Sequence, residues 1–579
     1  MTHSDETLAF KIPGIPAYWL IGCLGVGALI AVVYTLSPLT VVAAAVVPLL
    51  FRLAAAGLPR DEARGLLVIL AAALVLRILL LLGLLLVSDH DSQAVAILAG
   101  DEAYSLSRTL RIRNILLGVP GLKHDYQIAF EEYGETSYLG MLTVLQVLFG
   151  PAPYGLRLVN VLLFVAGAAL LFRLARHAYG RLPSLLALGG IVLLPTLLLW
   201  SISVLKESLY FALTACVVTG TYAAIRGRRL AVRFAALGSA LLALLALSDL
   251  RAGAVVLVGG GVAIGLVAFF ATANVRRLAI STLVVMFAAA ALVSRPAVRD
   301  RAHTAIEQAA LIHRGHVFTT GHAYKTLDEG FYVTLALDIQ LTSSEAARYV
   351  ARSLAAFALQ PWPWRMRGRN ELAFLPEHVL WYLALLLVPV GIGAGLRRDR
   401  LATCLLIGVI VPSSVVVALT NGNVGTLVRF RGLVWPYVSV LAALGACVAV
   451  QWLLQRSAGQ FATVEQALSR SGIAAGGRWA QHAIRTAFAT SQLRAALASL
   501  NQAWRAFTAP CVRFAGFALL SFVAVHTMLL FWVPDNVAPA MPSGLWLVVG
   551  LFALILIAVP DALVRAWQLR RASHGRSAG

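Results

Sequence analysis

Two adjacent carboxylates, Asp101 and Glu102, open the stretch Gly100-Asp-Glu-Ala-Tyr-Ser-Leu-Ser-Arg108. A carboxylate within hydrogen-bond reach of a hydroxyl can take its proton as the oxygen attacks, so either residue is a candidate general base. The pair is also an ordinary helix start, with Asp101 as N-cap and Glu102 favoured by the dipole. Cations that could hold an anionic group stand in two other places. Lys206 is one of only four lysines, the others being Lys11, Lys123 and Lys325. It precedes Glu207, but adjacent helical residues point about 100° apart and need not pair. Its alternative role is to snorkel towards headgroups. Arg429 and Arg431 follow the Gly-rich lead-in Asn421-Gly-Asn-Val-Gly-Thr. Two arginines beside free backbone N–H groups at a helix start make an anion site, and interfacial anchoring is the plainer alternative. Lys206, Arg429 and Arg431 are therefore the candidate phosphate-binding set.

Other polar residues carry weaker signals. Arg77 falls near the middle of a long apolar block, where a charge is expensive and usually paired. Asp249, with Arg251 close by, is a candidate partner; these three are substrate-facing or structural. His313, His316 and His322 have a spacing that could bind a metal, but it fits a solvated loop better. The five cysteines, Cys23, Cys216, Cys404, Cys447 and Cys511, have neither metal spacing nor the pattern of a disulfide framework. There is no phosphate-cradling GxxxxGK[ST] loop and no HExxH. No cofactor is implied, no metal ligand set is assigned, and a divalent metal has no residue support.

The elements that must position these residues follow from composition. The chain has 579 residues, 60% of them hydrophobic and only 13% charged. Its mean hydropathy is +0.83. A soluble chain would carry about 25% charged residues. Blocks of about 20 apolar residues recur and can cross a bilayer only as helices. The sequence therefore predicts an all-α polytopic membrane protein with about 14 transmembrane helices. The predicted spans are 15–36, 38–57, 65–87, 155–175, 183–201, 204–225, 231–248, 252–272, 276–294, 378–396, 401–420, 431–454, 514–533 and 545–566. With the N-terminus in the cytoplasm, alternation brings six basic clusters to the inner side: Arg52/Arg60/Arg64, Arg173/Arg176/Arg181, Arg226/Arg228/Arg229, Arg276/Arg277, Arg397/Arg398/Arg400 and Arg570/Arg571. That is the positive-inside pattern, and it accounts for the net charge of +21 without nucleic acid as partner. Both termini are then cytoplasmic, and no cleavable signal is evident. Two long extracytoplasmic loops carrying short helices remain, 88–154 and 295–377. The second ends in Gln360-Pro-Trp-Pro-Trp-Arg, an interfacial pattern. Residues 455–513 fall inside; Ile484, Phe488, Leu493, Leu497, Leu500, Trp504 and Phe507 recur there at helical spacing. They read as a basic amphipathic helix on the inner leaflet or as a packed helical hairpin.

From Gly100 to Gly180 the sequence resembles the GT-C class of integral-membrane glycosyltransferases. It looks most like the bacterial protein-mannosyltransferase and aminoarabinose-transferase superfamily. The pieces are Asp101-Glu102-Ala103-Tyr104, then Leu148-Phe149-Gly150, then Arg157-Leu158-Val159-Asn160, then Leu174-Ala175-Arg176 and Gly180. The Trp200…Lys206-Glu207 and Gly425-Thr426…Arg429-Phe-Arg431 segments also resemble uncharacterised membrane proteins of polysaccharide clusters. The Lys/His-Pro-Pro-Leu element of many relatives is absent; Tyr133–Tyr138 occupies its place. The resemblance implies a GT-C-like fold and a polyprenyl-(pyro)phosphate-linked sugar donor. It implies a hydroxyl acceptor that is a lipid, a glycan or a protein, with Asp101 as base and inversion at the anomeric carbon. Glu102 is the rival base, and Tyr104 a substrate-facing or structural residue. The implied setting is the outer face of a bacterial cytoplasmic membrane, in cell-envelope or exopolysaccharide biosynthesis. The expected organisation is an N-terminal hairpin (1–64), a core (65–294) carrying the first loop, the second loop (295–377), C-terminal core helices (378–454), the basic cytoplasmic segment (455–513), and a terminal hairpin with its tail (514–579). Two rivals remain: a polysaccharide polymerase or ligase acting on lipid-linked glycans, and a lipid-linked glycan transporter. A transporter would show Gly/Pro-broken spans with polar groups at the midplane.

Overall fold

A computed structural model describes residues 37–87, 99–120, 125–131, 135–151, 153–251, 253–318, 339–362 and 375–470. Among these residues every regular element is a helix. In chain order they are α1 (Pro38–Ala55), α2 (Arg60–Val87), α3 (Ala99–Leu116), α4 (Asp125–Ala129), α5 (Ser137–Phe149), α6 (Pro153–Tyr179), α7 (Arg181–Leu193), α8 (Pro195–Ile202) and α9 (Glu207–Arg226). There follow α10 (Leu230–Leu250), α11 (Ala254–Ala271), α12 (Val275–Val293), α13 (Pro296–Phe318), α14 (Ser343–Leu359), α15 (Leu375–Arg398), α16 (Arg400–Thr420), α17 (Val424–Arg431) and α18 (Trp435–Arg470). The chain divides into two compact units, residues 1–77 with 93–449, and residues 78–92 with 450–579. The residues that build the site all belong to the first.

Nine of the described helices are long and apolar enough to cross a membrane, and the bent pair α7/α8 makes a tenth. The protein is an all-α, multi-pass membrane protein. α12 is a helix over the predicted span 276–294 but is not among the nine. The predicted spans 15–36, 514–533 and 545–566, the pattern from Ile484 to Phe507, and the cluster Arg570/Arg571 lie outside the described residues. Large apolar side chains stand uncovered on α10 and α12, among them Phe234 and, at 79% exposed, Phe287. In water that surface would drive association; against acyl chains it is neutral.

Contacts between the helix ends test the predicted alternation. The Arg176 guanidinium grips the Glu62 carboxylate through Nε (2.6 Å) and Nη2 (2.9 Å). Arg173 donates to the carbonyls that end α1, at Leu53, Ala54 and Ala56. Arg226 lies 3.7 Å from Asp399, the N-cap of α16, and Tyr222 donates to the same carboxylate at 2.6 Å. Arg398 reaches the carbonyl of Tyr179, and Arg400 that of Thr272. Members of the predicted inner clusters thus meet at one end of the helices. A single lost span between them would have separated them.

Close packing rests on small residues. A Cβ on Gly408 of α16 would come within 2.2 Å of the Gly261 carbonyl oxygen of α11, and one on Gly261 within 2.4 Å of the Gly408 carbonyl oxygen. Backbones in contact gain dispersion energy, the main attraction left between helices once lipid removes the hydrophobic difference. α6 and α9 also meet through Phe164 and Phe211, whose rings lie 5.2 Å apart.

The predicted span 183–201 is not one straight helix. α7 and α8 meet at a 61° bend. Pro195 has no N–H for the α7 backbone and breaks the ladder. Two charged side chains repair the break. Thr196 would ordinarily donate its N–H to Val192, but gives it to Glu377 Oε2 at 2.9 Å, with its hydroxyl on the same oxygen at 2.7 Å. The freed Val192 carbonyl accepts from Arg77 Nη1 at 3.0 Å. A cation therefore faces the C-terminal end of α7 and an anion the N-terminal end of α8, the signs that the two helix dipoles favour. Arg77 is fully buried and also bonds the Ser201 hydroxyl (2.7 Å) and lies over the Phe164 ring. Its expected partner Asp249 is exposed and does not meet it; neutral acceptors and a ring take the guanidinium instead.

Candidate active site

The site is built around the turn Ser203–Lys206 between α8 and α9. Arg157 and Asn160 stand one turn apart near the start of α6 and so face the same way. Arg157 Nε donates to Glu102 Oε1 at 2.8 Å, and that oxygen also accepts the Val204 N–H at 2.9 Å. Asn160 Nδ2 reaches the carbonyls of Ser203 (2.5 Å) and Leu205 (3.0 Å) and the Tyr138 hydroxyl (2.8 Å). The turn is thereby held at three successive residues, and Lys206 and Glu207 are delivered to the start of α9. Glu102 is 0% exposed and Arg157 nearly so. Glu102 cannot meet a substrate hydroxyl without first giving up this pair.

Asp101 points elsewhere. α3 begins at Ala99, so Asp101 lies inside the first turn and is not the N-cap. Its side chain is 64% exposed and its Oδ2 accepts from Arg429 Nη1. Arg429 is the centre of the cluster, because its Nη2 donates to buried Glu207 at 3.0 Å. Burial acts to lower the Arg429 pKa, but Glu207 and Asp101 outweigh it and leave the value raised. The Lys206 carbonyl accepts the Tyr210 N–H at 2.9 Å, but its ammonium makes no hydrogen bond or ion pair among the described residues. Burial and then the nearby Arg251 guanidinium lower its pKa, with Glu207 and Asp101 opposing. Arg251 stacks over the Phe430 ring at 4.6 Å, and Arg429 lies 5.6 Å from the same ring. Three cations, Lys206, Arg251 and Arg429, therefore face two carboxylates, one of them solvent-exposed. Tyr104, one turn after Asp101, accepts from Arg108 Nη1 at 2.9 Å and serves as a support for that arginine.

Arg431 is not part of this cluster. Two positions along α17 turn a side chain by about 200°, and Arg431 enters a separate pocket lined by Glu377, His378, Trp381, Val428 and Trp435. It donates to the carbonyls of Ala356 and Gln360 and lies over the rings of Trp381 and Phe357. Burial brings its pKa down to about 9. The paired Arg429/Arg431 anion site read from the sequence is divided between two faces of one short helix. The histidines also depart from expectation. His313 is fully buried on α13 against Tyr349, and His316 meets the Thr420 carbonyl at 2.7 Å. His322 lies outside the described residues. Burial and then His316 bring the His313 pKa down to about 3. Among the described residues no group of His, Cys, Asp and Glu is arranged to hold a metal.

Two residues of the site and its framework, Glu207 and Glu377, carry no motif of their own. Both are acids beside long apolar runs, where an unpaired carboxylate is costly. That cost was the signal, but the partners lie 222 and 181 residues away.

No family model and no curated protein sequence matches the chain. Two solved structures are similar. One is ArnT from Cupriavidus metallidurans in the apo state, at 16% identity over 78% of this chain and 72% of that one, with a TM-score of 0.34. The other is the archaeal oligosaccharyltransferase AglB from Archaeoglobus fulgidus in complex with an inhibitory peptide and a dolichol-phosphate. It is 15% identical over 69% of this chain and 52% of that one, with a TM-score of 0.38. Both belong to the class of membrane glycosyltransferase that the loop motifs resemble. At these scores the likeness is too distant to fix an activity, and the functional reading rests on the residues.

Proposed function

We propose that the protein is a membrane glycosyltransferase that moves a sugar from a polyprenyl-(pyro)phosphate donor to a hydroxyl acceptor. The observation that carries this reading is an exposed carboxylate, Asp101, held beside the cations Arg429, Lys206 and Arg251 at one end of the helices. Transfer needs two such elements together. The acceptor O–H attacks the anomeric carbon as its proton passes to Asp101. The bond from that carbon to the phosphate oxygen breaks, and the phosphate leaves with the electron pair. In-line attack inverts the anomeric carbon. The leaving charge falls at headgroup depth, where fixed cations stabilise it. The basic clusters gathered at the opposite end support a site on the extracytoplasmic face, in a bacterial inner membrane with both termini in the cytoplasm. Nucleotide sugars are absent there, which favours a lipid-borne donor for envelope or exopolysaccharide assembly. Lys206 and Arg429 are the proposed phosphate ligands; Arg431 is a wall of the neighbouring pocket.

The test is the donor pool. In a deletion strain the polyprenyl-linked sugar should accumulate. Wild-type protein should clear it, whereas Asp101→Asn should leave it in place. Full clearance by Asp101→Asn would reject the mechanism. The transport reading draws on one observation, the Pro-broken span with Arg77 and Glu377 buried beside it. Both charges bond across the break and so leave no free charge for a path. Retention of the donor's sugar on its lipid in wild-type membranes would favour transport.

A further inference from the structure

Arg429 holds its two carboxylates in different ways. The bond to Glu207 is internal, with the Glu207 side chain 4% exposed. The bond to Asp101 lies at the surface, with the side chains 28% and 64% exposed. Exposed ion pairs are weak and exchange readily, whereas breaking a buried one strands a charge. Arg429 therefore has a fixed anchor on Nη2 and a replaceable partner on Nη1. Two further cations stand near the Asp101–Arg429 pair, Lys206 being within electrostatic reach of Arg251, Asp101 and Arg429. Arg251 and Arg429 share the Phe430 ring, and the Lys206 ammonium has no hydrogen-bond or ion-pair partner among the described residues.

We infer that a phosphate anion binds between Arg429, Lys206 and Arg251, and that it does so by displacing Asp101 from Nη1 of Arg429. Phosphate and carboxylate compete for one N–H group and repel each other. Asp101 is thus tied to Arg429 in the empty site and is released when phosphate arrives. Arg251, at the end of α10, becomes the third phosphate ligand in place of Arg431. Combined with the proposed function, on which its catalytic meaning rests, this sets an order: donor first, then a base freed for the acceptor. A hydroxyl that entered an empty site would find the carboxylate engaged.

The experiment measures binding of a short-chain polyprenyl phosphate, without sugar, to the full-length protein in phosphatidylcholine nanodiscs. Asp101→Asn keeps the shape of the side chain and removes the competing charge. It should tighten binding by roughly 3- to 10-fold. Arg251→Ala should weaken it by about 10-fold, and Arg429→Ala by more. Parallel arms with inorganic phosphate and with phosphatidate identify the source. Response to all three makes the site a phosphate reader, and response to polyprenyl phosphate alone adds recognition of its chain. Unchanged or weaker binding by Asp101→Asn overturns the exchange, as does wild-type affinity in Arg251→Ala. Turnover separates the two ideas. Tighter binding with normal turnover sinks the base and keeps the exchange; lost turnover at unchanged affinity does the reverse.

Discussion

Substituting Glu102 by Gln removes the charge that compensates Arg157 in a fully buried site. Breaking such a pair costs about 3–5 kcal/mol, so Glu102→Gln should unfold at a clearly lower temperature than wild type in detergent. Asp101→Asn touches an exposed side chain and should keep the wild-type unfolding temperature while turnover falls by at least ~100-fold. The reverse pattern would exchange the two roles. A second residue prediction concerns pH. The His313 pKa is about 3 in the folded protein and near 6.5 unfolded. Between these values only the unfolded chain takes up the proton, so stability is complete above about pH 6.5 and falls as the pH is lowered. At pH 5 the loss from this residue is about 2 kcal/mol. His313→Asn should flatten the dependence of unfolding temperature between pH 7.5 and 5; an unchanged slope would assign it to other groups. Part of this was legible in the sequence. Helical geometry separates Asp101 from Glu102 and Arg429 from Arg431. Which of each pair faces the core depends on partners more than 50 residues away, and no local pattern carries that information.

At the scale of elements, the apolar blocks located the described spans to within a few residues, because hydropathy and the bilayer constrain the same length, whereas the helix of the last described span, α18, runs on past residue 454 to Arg470. The break between α7 and α8 escaped, since apolarity does not register a lost hydrogen bond; Pro195 was its only mark. The break also explains Arg77, read from the sequence as half of an ion pair. Its partners are neutral, so Arg77→Leu leaves no buried anion behind. It does strand the Val192 carbonyl, worth about 1–3 kcal/mol when buried without a partner, while the Ser201 hydroxyl keeps its bond to the Leu198 carbonyl. Thermal unfolding should show that loss in Arg77→Leu. Asp249→Asn should stay within about 0.5 kcal/mol of wild type. A matching loss in both variants would restore the ion pair.

For the whole molecule, the gathering of arginines at one end predicts sidedness. In a chain whose five native cysteines have been replaced, Ser107→Cys on α3 should react with an impermeant thiol reagent in intact cells. Arg229→Cys, exposed at the other end, should react only after lysis. The opposite result would turn the protein over and put the site in reach of nucleotide sugars.

The repaired break also imposes a clock on assembly. Thr196 and its cap Glu377 are 181 residues apart. At roughly 5–20 residues per second, synthesis leaves that amide waiting about 10–40 s for its partner. Through that interval the nascent α7/α8 span holds an unpaired donor in a medium without water, although Arg77 has already been made. The bend therefore becomes final only when α15 enters the membrane. A chain stopped before Leu375 retains the hydropathy of a span but lacks the carboxylate that lets the span rest there.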